Sequence, residues 1–133
     1  MKIYLAASIY NHILMESKIG KELESQGHDI VSTWHINPKF DNQLMPEEIN
    51  NILLQNHSEI LECDWLIACL TSLCKETYFE ILYALNSGKK IAVFTIDDKN
   101  PTYYLPLTLL NKLSKINIIN NDIKDLYDII NKK

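Results

Sequence analysis

The sequence predicts an α/β fold in which a parallel β-sheet is covered by helices on both faces. Short apolar runs alternate along the chain with longer segments of helical periodicity, which is the pattern of a parallel sheet. Residues 64–70 have the sequence DWLIACL, an almost continuous apolar run typical of a strand buried on both faces. The chain has 133 residues without a repeat or a linker, so we expect a single domain over residues 1–133.

The first predicted elements are a strand, a helix and a second strand. Residues 2–7 form an apolar run that includes tyrosine and isoleucine, and they predict a buried strand. Residues 12–26 carry apolar side chains near helical spacing, and Gly27 suits the position that follows a helix. Residues 28–33 predict the second strand.

The middle of the chain predicts a loop, a helix, a central strand and another helix. Residues 37–46 are polar, contain two prolines and predict the loop. Proline and two glutamates then open a helix that we expect from residue 46 to about residue 61. The apolar strand at residues 64–70 follows. A further helix is predicted from about residue 75 to residue 87, just before Gly88.

The last third of the chain repeats the alternation of strand and helix. Asp97 and Asp98 indicate a turn after the fourth strand. Pro106 lies inside the next helical pattern, where a proline interrupts the hydrogen bonding of a helix. The predicted elements here are strands at residues 90–95 and 116–119 and helices at residues 104–113 and 122–131.

The expected sheet order is flavodoxin-like or Rossmann-like, 2-1-3-4-5. Right-handed crossovers leave few arrangements for five parallel strands, and this order places a topological switch point between the first and third strands. The loops that follow those strands, at residues 8–11 and 71–75, would form opposite walls of one crevice. Open α/β sheets bind their ligands in such a crevice, so we expect the functional site there.

Composition and the first loop disfavour several function classes. The net charge of −4 argues against a nucleic acid polymer as partner. The chain contains no arginine, so any phosphate would be held by backbone N–H groups, hydroxyls or lysine. The sequence has neither a GxGxxG loop nor a P-loop, which disfavours bound NAD or ATP. We therefore expect no cofactor.

The cysteines and histidines indicate neither a disulfide framework nor a metal site. Cys63 and Cys69 adjoin or lie in the central apolar strand and are most simply core residues. Cys74 lies in the loop before Glu80, where a reactive thiol is the less favoured interpretation. No CxxC pair or metal-ligand spacing is present. Without a signal-peptide pattern or an apolar run of roughly 20 residues, we expect no membrane association and a cytoplasmic location.

Glu80 is the candidate catalytic residue. It lies in the first turns of the helix predicted at residues 75–87, and helical side chains lean towards the helix N-terminus, here towards the crevice. Glu76 is four residues earlier and shares its face. An ionised carboxylate beside a sugar can attack the anomeric carbon and form a glycosyl ester. The alternative is that both glutamates are solvated surface acids, and the spacing alone favours this alternative.

Other side chains near the crevice have both a functional and a structural interpretation. Ser8 could bind a polar ligand or cap the first helix, and the two roles are compatible. Tyr4 and Tyr10 flank the proposed pocket, where a tyrosine hydroxyl could orient the carboxylate or the ring could simply pack. Trp34 and His35 end the second strand. There an aromatic ring could stack on a nucleobase or pack at the rim of the site.

Three segments of the chain together resemble the nucleoside 2-deoxyribosyltransferase family, whose relatives include the nucleoside 5′-monophosphate N-glycosidases. They are the initial MKIYLAAS, residues 64–67 (DWLI), and residues 78–85 (YFEILYAL) followed by Ser-Gly-Lys at 87–89. The resemblance covers residues 1 to about 96. It implies a flavodoxin-like fold and a homodimer or larger homo-oligomer in which sites borrow residues from a neighbour.

The resemblance also implies roles for three residues. Glu80 matches the family's nucleophile. Tyr4 matches a first-strand tyrosine that contacts the catalytic carboxylate in some members. Ser8 matches a serine that helps to hold the 5′-phosphate in the monophosphate hydrolases.

Several positions depart from the family pattern. Asn56 stands where transferases carry a sugar-binding aspartate, and Cys74 stands where another acid is common. Glu76 replaces a glycine before the nucleophile and could stand in for the missing acid. Tyr10 occupies the position of an arginine near the phosphate in hydrolase members. In the family, glycines before the nucleophile allow a ligand to approach the backbone closely. The bulkier residues of this chain at those positions reshape the sugar site.

The resemblance implies an enzyme that cleaves the N-glycosidic bond of a (deoxy)nucleoside or nucleoside 5′-monophosphate. The covalent intermediate would be a glycosyl ester of Glu80, and the sugar would pass to water or to another base. Ser8, Tyr10, Trp34, His35 and the pair Asn56 and Glu76 are the expected substrate-binding residues. The alternative is a non-catalytic nucleotide-binding sensor or sequestering protein on the same fold.

Overall fold

Five parallel strands form one sheet in the computed structural model, which describes residues 1–40, 44–72, 75–120 and 122–132. The strand order is 2-1-3-4-5, as predicted from the sequence. Cys74, the candidate reactive thiol, lies outside the described residues. The strands are β1 at Lys2–Ala6, β2 at Asp29–Ile30, β3 at Trp65–Cys69, β4 at Lys90–Phe94 and β5 at Ile116–Ile118.

Helices connect successive strands close to the predicted positions. Gly27 and Gly88 follow two of these helices with φ of 91° and 76°, a backbone conformation that glycine adopts without strain. None of the helices in the described part of the chain is long and apolar enough to cross a bilayer. The helices are α1 at Lys21–Ser25, α2 at Pro46–Glu62, α3 at Lys75–Asn86, α4 at Leu107–Leu110 and α5 at Ile123–Asn131.

The first predicted helix is helical in the structure, but its centre is not an α-helix. A 3₁₀ turn at Ile9–Asn11 opens the segment, and the π-helical stretch Leu14–Gly20 precedes α1. Gly20 contributes to this close packing, because a Cβ atom there would lie 2.8 Å from the Met15 carbonyl oxygen. Periodicity near 3.6 does not distinguish this stretch from an α-helix, which is why the sequence predicted one element.

The core consists of two apolar layers, one on each face of the sheet. Alternate residues of a strand point to opposite faces. Ile3 and Leu5 of β1 therefore pack with α1 and α5, whereas Tyr4 and Ala6 pack with α2, α3 and α4. All four of these side chains are fully buried. This alternation directs the Tyr4 side chain towards α3, which carries Glu80.

Strand β2 is shorter than the predicted strand at residues 28–33. Its pairing with β1 ends soon after Ile30, where Val31 N–H still donates to the Ile3 carbonyl. Beyond that point side chains replace the backbone of β2. Leu5 N–H donates to Ser32 Oγ at 3.0 Å, and the Leu5 carbonyl accepts from Trp34 Nε1 at 2.6 Å. The prediction was wrong at this end because side chains satisfy the edge of β1.

The predicted helix at residues 104–113 is wrong over most of its length. Pro106 has φ −70° and ψ 163°, an extended conformation that interrupts the helix. What remains is a 3₁₀ turn at Pro101–Tyr104, the four-residue α4 and a second 3₁₀ turn at Leu113–Lys115. The other strands and helices agree with their predicted positions to within one or two residues.

Replacing Ser32 by alanine is expected to destabilise the protein. Ser32 is fully buried, and its hydroxyl contacts both Leu5 N–H and His35 Nε2. Alanine leaves both groups without this partner, which costs about 2 kcal/mol of unfolding free energy. Urea unfolding measures the loss. Ser58→Ala, which removes an exposed hydroxyl from α2, is the matched control. Equal stability of the two variants would show that the side-chain bonds to β1 contribute nothing.

Candidate active site

The main cavity lies at the carboxyl ends of β1 and β3, at the switch point predicted from the strand order. Its volume is about 830 Å³, within the range of small-molecule sites. The loop after β1, the segment after β2, α2 and the start of α3 form its walls. Six of the eight predicted site residues line it: Ser8, Tyr10, Trp34, Asn56, Glu76 and Glu80.

Tyr4 and Glu80 form the central contact of the site. Tyr4 is fully buried beneath the cavity, and its hydroxyl donates a hydrogen bond to Glu80 Oε2. Glu80 lies in the second turn of α3 and is partly buried. The interpretation of Glu80 as a solvated surface acid therefore does not hold. The bond fixes one carboxylate oxygen and leaves the side chain facing the cavity.

The environment of this pair favours the protonated form of both groups. Burial is the largest effect and raises the pKa of Glu80 to about 8. The Tyr4 hydrogen bond acts in the opposite direction, whereas the nearby charges of Glu76 and Glu59 raise that pKa further. Burial and the Glu80 charge also hold the pKa of Tyr4 well above its usual value. Tyr4 therefore keeps its proton and remains a hydrogen-bond donor.

Glu59 is a buried carboxylate of the site that sequence reasoning missed. It lies near the end of α2 and is 6% exposed. Its carboxylate accepts from Thr33 N–H at 3.1 Å, from Thr33 Oγ1 at 2.7 Å and from Gln55 Nε2 at 2.8 Å. Its burial could have been predicted from the sequence, because Glu59 adjoins the apolar Ile60 and is four residues before Cys63, on the same face of the helix.

Ser8 caps the first 3₁₀ turn and also faces the cavity. Its hydroxyl accepts from Tyr10 N–H at 3.4 Å as the cap of the first 3₁₀ turn, and the residue also lines the cavity. Tyr10 is 69% exposed at the rim, with its ring centroid 5.6 Å from that of Phe40. Trp34 is half-buried in the wall, and its indole N–H is bonded to β1.

His35 is not brought to the cavity, contrary to its assignment as a substrate-binding residue. It is 2% exposed, with Nε2 2.8 Å from Ser32 Oγ and Nδ1 2.5 Å from Glu16 Oε2. The reason is the early end of β2. The chain turns there, so that Trp34 faces the cavity while His35 packs behind it, against the first helical segment.

Thr77 is a cavity-lining residue that sequence reasoning missed. It is 1% exposed in the first turn of α3 and lines the cavity, yet its hydroxyl has no hydrogen-bond partner among the described residues. Buried hydroxyls normally have a partner, so a ligand or water group at this wall would satisfy it. Lys39 and Lys75 also line the cavity and bring positive charge to it.

Strand order and site together define the class of the protein. It is a flavodoxin-like α/β protein with a tyrosine-held carboxylate beneath a cavity at the switch point. No family model matches the sequence, and no curated protein matches it.

Two solved structures share the fold. A 2-deoxyribosyltransferase from the psychrotolerant bacterium Bacillus psychrosaccharolyticus aligns with a TM-score of 0.72 and 18% identity, over 95% of this chain and 90% of that one. A CMP N-glycosidase from Clostridium botulinum aligns with a TM-score of 0.59 and 22% identity, over the whole of both chains. At this identity the comparison establishes the fold, in agreement with the family that the sequence resembles.

Removing the charge of Glu80 is expected to stabilise the protein at high pH. The pKa of Glu80 is about 8 in the folded protein against an ordinary value of 4.5, so the folded state binds the proton more tightly than the unfolded state. Stability is therefore lost as pH rises from about 4.5 through 8. Glu80→Gln should gain about 2 kcal/mol or more over the native chain between pH 5 and pH 9.

Urea unfolding across this pH range tests the expectation. Glu62→Gln, which removes an exposed charge from α2, is the control and should show a small difference that hardly changes with pH. A Glu80→Gln advantage that stays constant from pH 5 to pH 9 would contradict the raised pKa.

Proposed function

We propose that this protein cleaves the N-glycosidic bond of a nucleoside or nucleoside 5′-monophosphate, with Glu80 as nucleophile. The observation that carries the proposal is the Glu80 carboxylate, held by Tyr4 and facing a cavity of about 830 Å³ at the switch point. The fold shared with a 2-deoxyribosyltransferase and a CMP N-glycosidase supports the same chemistry.

The reaction proceeds through a covalent glycosyl ester. Tyr4 holds Oε2 of Glu80, and the other carboxylate oxygen attacks C1′ of the sugar. The C1′–N bond breaks, and the base leaves with the bonding electrons and takes up a proton from water or from Glu76. Water or the nitrogen of a second base then attacks C1′ and gives up its proton to solvent or to Glu76. The ester bond breaks and the Glu80 carboxylate is restored.

The partial burial of Glu80 suits this role. A carboxylate with little hydration has less solvent to shed when it attacks, and the positive charge that develops on the sugar favours its ionised form. Tyr4 fixes the direction of the side chain, because the buried ring cannot move with the ligand. The reaction rate should therefore rise with pH until Glu80 is ionised in the free protein.

The cavity walls provide groups for each part of a nucleotide. Trp34 offers a ring face for the base, and Asn56 on α2 offers an amide for a sugar hydroxyl. Ser8, together with Lys39 and Lys75, provides a hydroxyl and cations for a 5′-phosphate without arginine. Tyr10 lies at the rim. The ligand would be a nucleoside or nucleotide and not a nucleic acid polymer. The reaction would need no cofactor, and the protein would act in the cytoplasm.

A non-catalytic nucleotide-binding protein is the second candidate function. The observation that favours it is the pKa of Glu80 near 8, because most of the carboxyl is then protonated at neutral pH in the free protein. A protonated glutamate binds a hydroxyl or a ring nitrogen but does not attack C1′. Binding without base release would distinguish this function from the enzyme.

We further propose that the protein acts as a homodimer or larger homo-oligomer, joined through α2 and α3. These helices carry exposed apolar side chains: Leu54 is 60% exposed, Leu61 52% and Phe79 69%. Such side chains mark interaction surfaces when they gather on one face. Leu53 of the same helix is 44% exposed and lines the cavity, so a second copy would add a wall to the site.

Base release from a panel of nucleosides and 5′-monophosphates tests the proposed function. Glu80→Ala and Glu80→Gln should each reduce release by about 10³-fold or more, because each removes the attacking carboxylate. Adding a second base distinguishes hydrolysis of the glycosyl ester from transfer of the sugar, since a new nucleoside forms only by transfer. Undiminished release in both variants would exclude Glu80 as the nucleophile, and tight binding without release would support the second candidate.

Light scattering after size-exclusion chromatography tests the assembly. The native chain should elute as a dimer or larger, and Leu54→Asp should shift it to the monomer by placing a charge in the interface. Leu107→Asp on α4 is the control, since Leu107 is 77% exposed on a helix outside the proposed interface and should not alter the mass. A native chain that is monomeric at micromolar concentration would contradict the proposal.

A further inference from the structure

The carboxylate of Glu59 is buried in the α2 wall of the cavity and does not reach the ligand space itself. At 6% exposure it is bound by donors from two segments, Thr33 after β2 and Gln55 one turn earlier on α2. Both Thr33 and Gln55 line the cavity and are exposed to it, whereas Glu59 is not among the lining residues. The charge that orders this wall therefore lies behind the side chains that face a ligand.

The bonds to Glu59 determine which atoms Thr33 and Gln55 present. An ionised carboxylate only accepts hydrogen bonds, so the amide nitrogen of Gln55 must be the atom that faces Glu59, at 2.8 Å. Its carbonyl oxygen Oε1 then lies on the opposite side of the amide. The Thr33 hydroxyl donates its single proton to Glu59 at 2.7 Å, so it can only accept a hydrogen bond from a further partner.

We propose that Glu59 is a positioning residue that makes the α2 wall of the cavity a hydrogen-bond-accepting surface. The accepting oxygens are Gln55 Oε1 and Thr33 Oγ1, on two side chains that line the cavity. This wall selects ligands that place an amino or hydroxyl donor against it over ligands that place a carbonyl oxygen there. The inference rests on the proposed function in that the ligand is a nucleoside or nucleotide.

The selected donor has two possible sources within such a ligand. One is the exocyclic amino group of cytosine or adenine, which uracil or hypoxanthine replaces with a carbonyl. The other is a hydroxyl of the sugar. Matched ligand pairs separate them, since cytidine and uridine, or adenosine and inosine, differ at the base alone. Cytidine and 2′-deoxycytidine differ only in one sugar hydroxyl.

Glu59→Gln is the decisive variant. It keeps the shape of the side chain but replaces one accepting oxygen with a donating amide. Because the backbone N–H of Thr33 can only donate, the remaining oxygen stays at the Oε1 position and the amide replaces Oε2, which Gln55 and the Thr33 hydroxyl contact. Gln55 then turns its own amide to pair with the new donor. Gln55 then presents N–H groups to the cavity in place of Oε1. The ratio of cytidine to uridine affinity, measured by calorimetry, should fall by about fivefold or more, because one hydrogen bond becomes mispaired.

Two further variants complete the test. Gln55→Met removes the amide from an exposed position and should abolish the preference without reversing it. Glu62→Gln removes one negative charge from the same helix at an exposed site and should leave the preference of the native chain unchanged. Thermal unfolding of each variant establishes that the comparison is made on folded protein.

The outcomes decide the inference separately from the proposed function. A native preference for amino bases that falls in Glu59→Gln supports it, and a preference found instead in the ribose–deoxyribose pair assigns the donor to the sugar. The inference is overturned by a native preference for carbonyl bases, by the same ratio in Glu59→Gln and Glu62→Gln, or by no binding of any probe. Base release is measured in parallel, and its absence alone would overturn only the proposed enzyme.

Discussion

The hydrogen bond between Tyr4 and Glu80 is the contact on which the arrangement of the site depends. It joins the strand at the switch point of the sheet to the helix that follows the central strand, beneath the cavity. The bond forms only because the alternation along β1 turns Tyr4 towards α3, while its neighbours Ile3 and Leu5 pack on the opposite face. A shift of one residue in the register of β1 would remove the tyrosine from the site.

The early end of β2 shapes the rest of the cavity. Because Ser32 and Trp34 satisfy the backbone of Leu5 with their side chains, the chain leaves the sheet there without unpaired groups on β1. The same turn places Thr33 against Glu59 and buries His35 behind the wall. A longer strand would have kept these residues in the sheet.

The two carboxylates of the site occupy contrasting surroundings. Glu59 is satisfied by three donors and acts as a fixed negative charge in the wall. Glu80 has the Tyr4 hydroxyl as its described donor, and burial raises its pKa to about 8. The instability that Glu80 contributes above its pKa is consistent with a group retained for chemistry.

The sequence by itself determined the parallel sheet, its strand order and the place of Glu80 on α3, because apolar periodicity and handed crossovers depend on local pattern. It also predicted the Tyr4 contact, through the resemblance to a known family. Only the tertiary structure decided that β2 ends at Ile30, that His35 is buried, and that Glu59 lies in the cavity wall. These features depend on which distant side chains meet, such as Ser32 with Leu5, and hydrogen bonds between segments far apart in the chain leave no periodic signal in it.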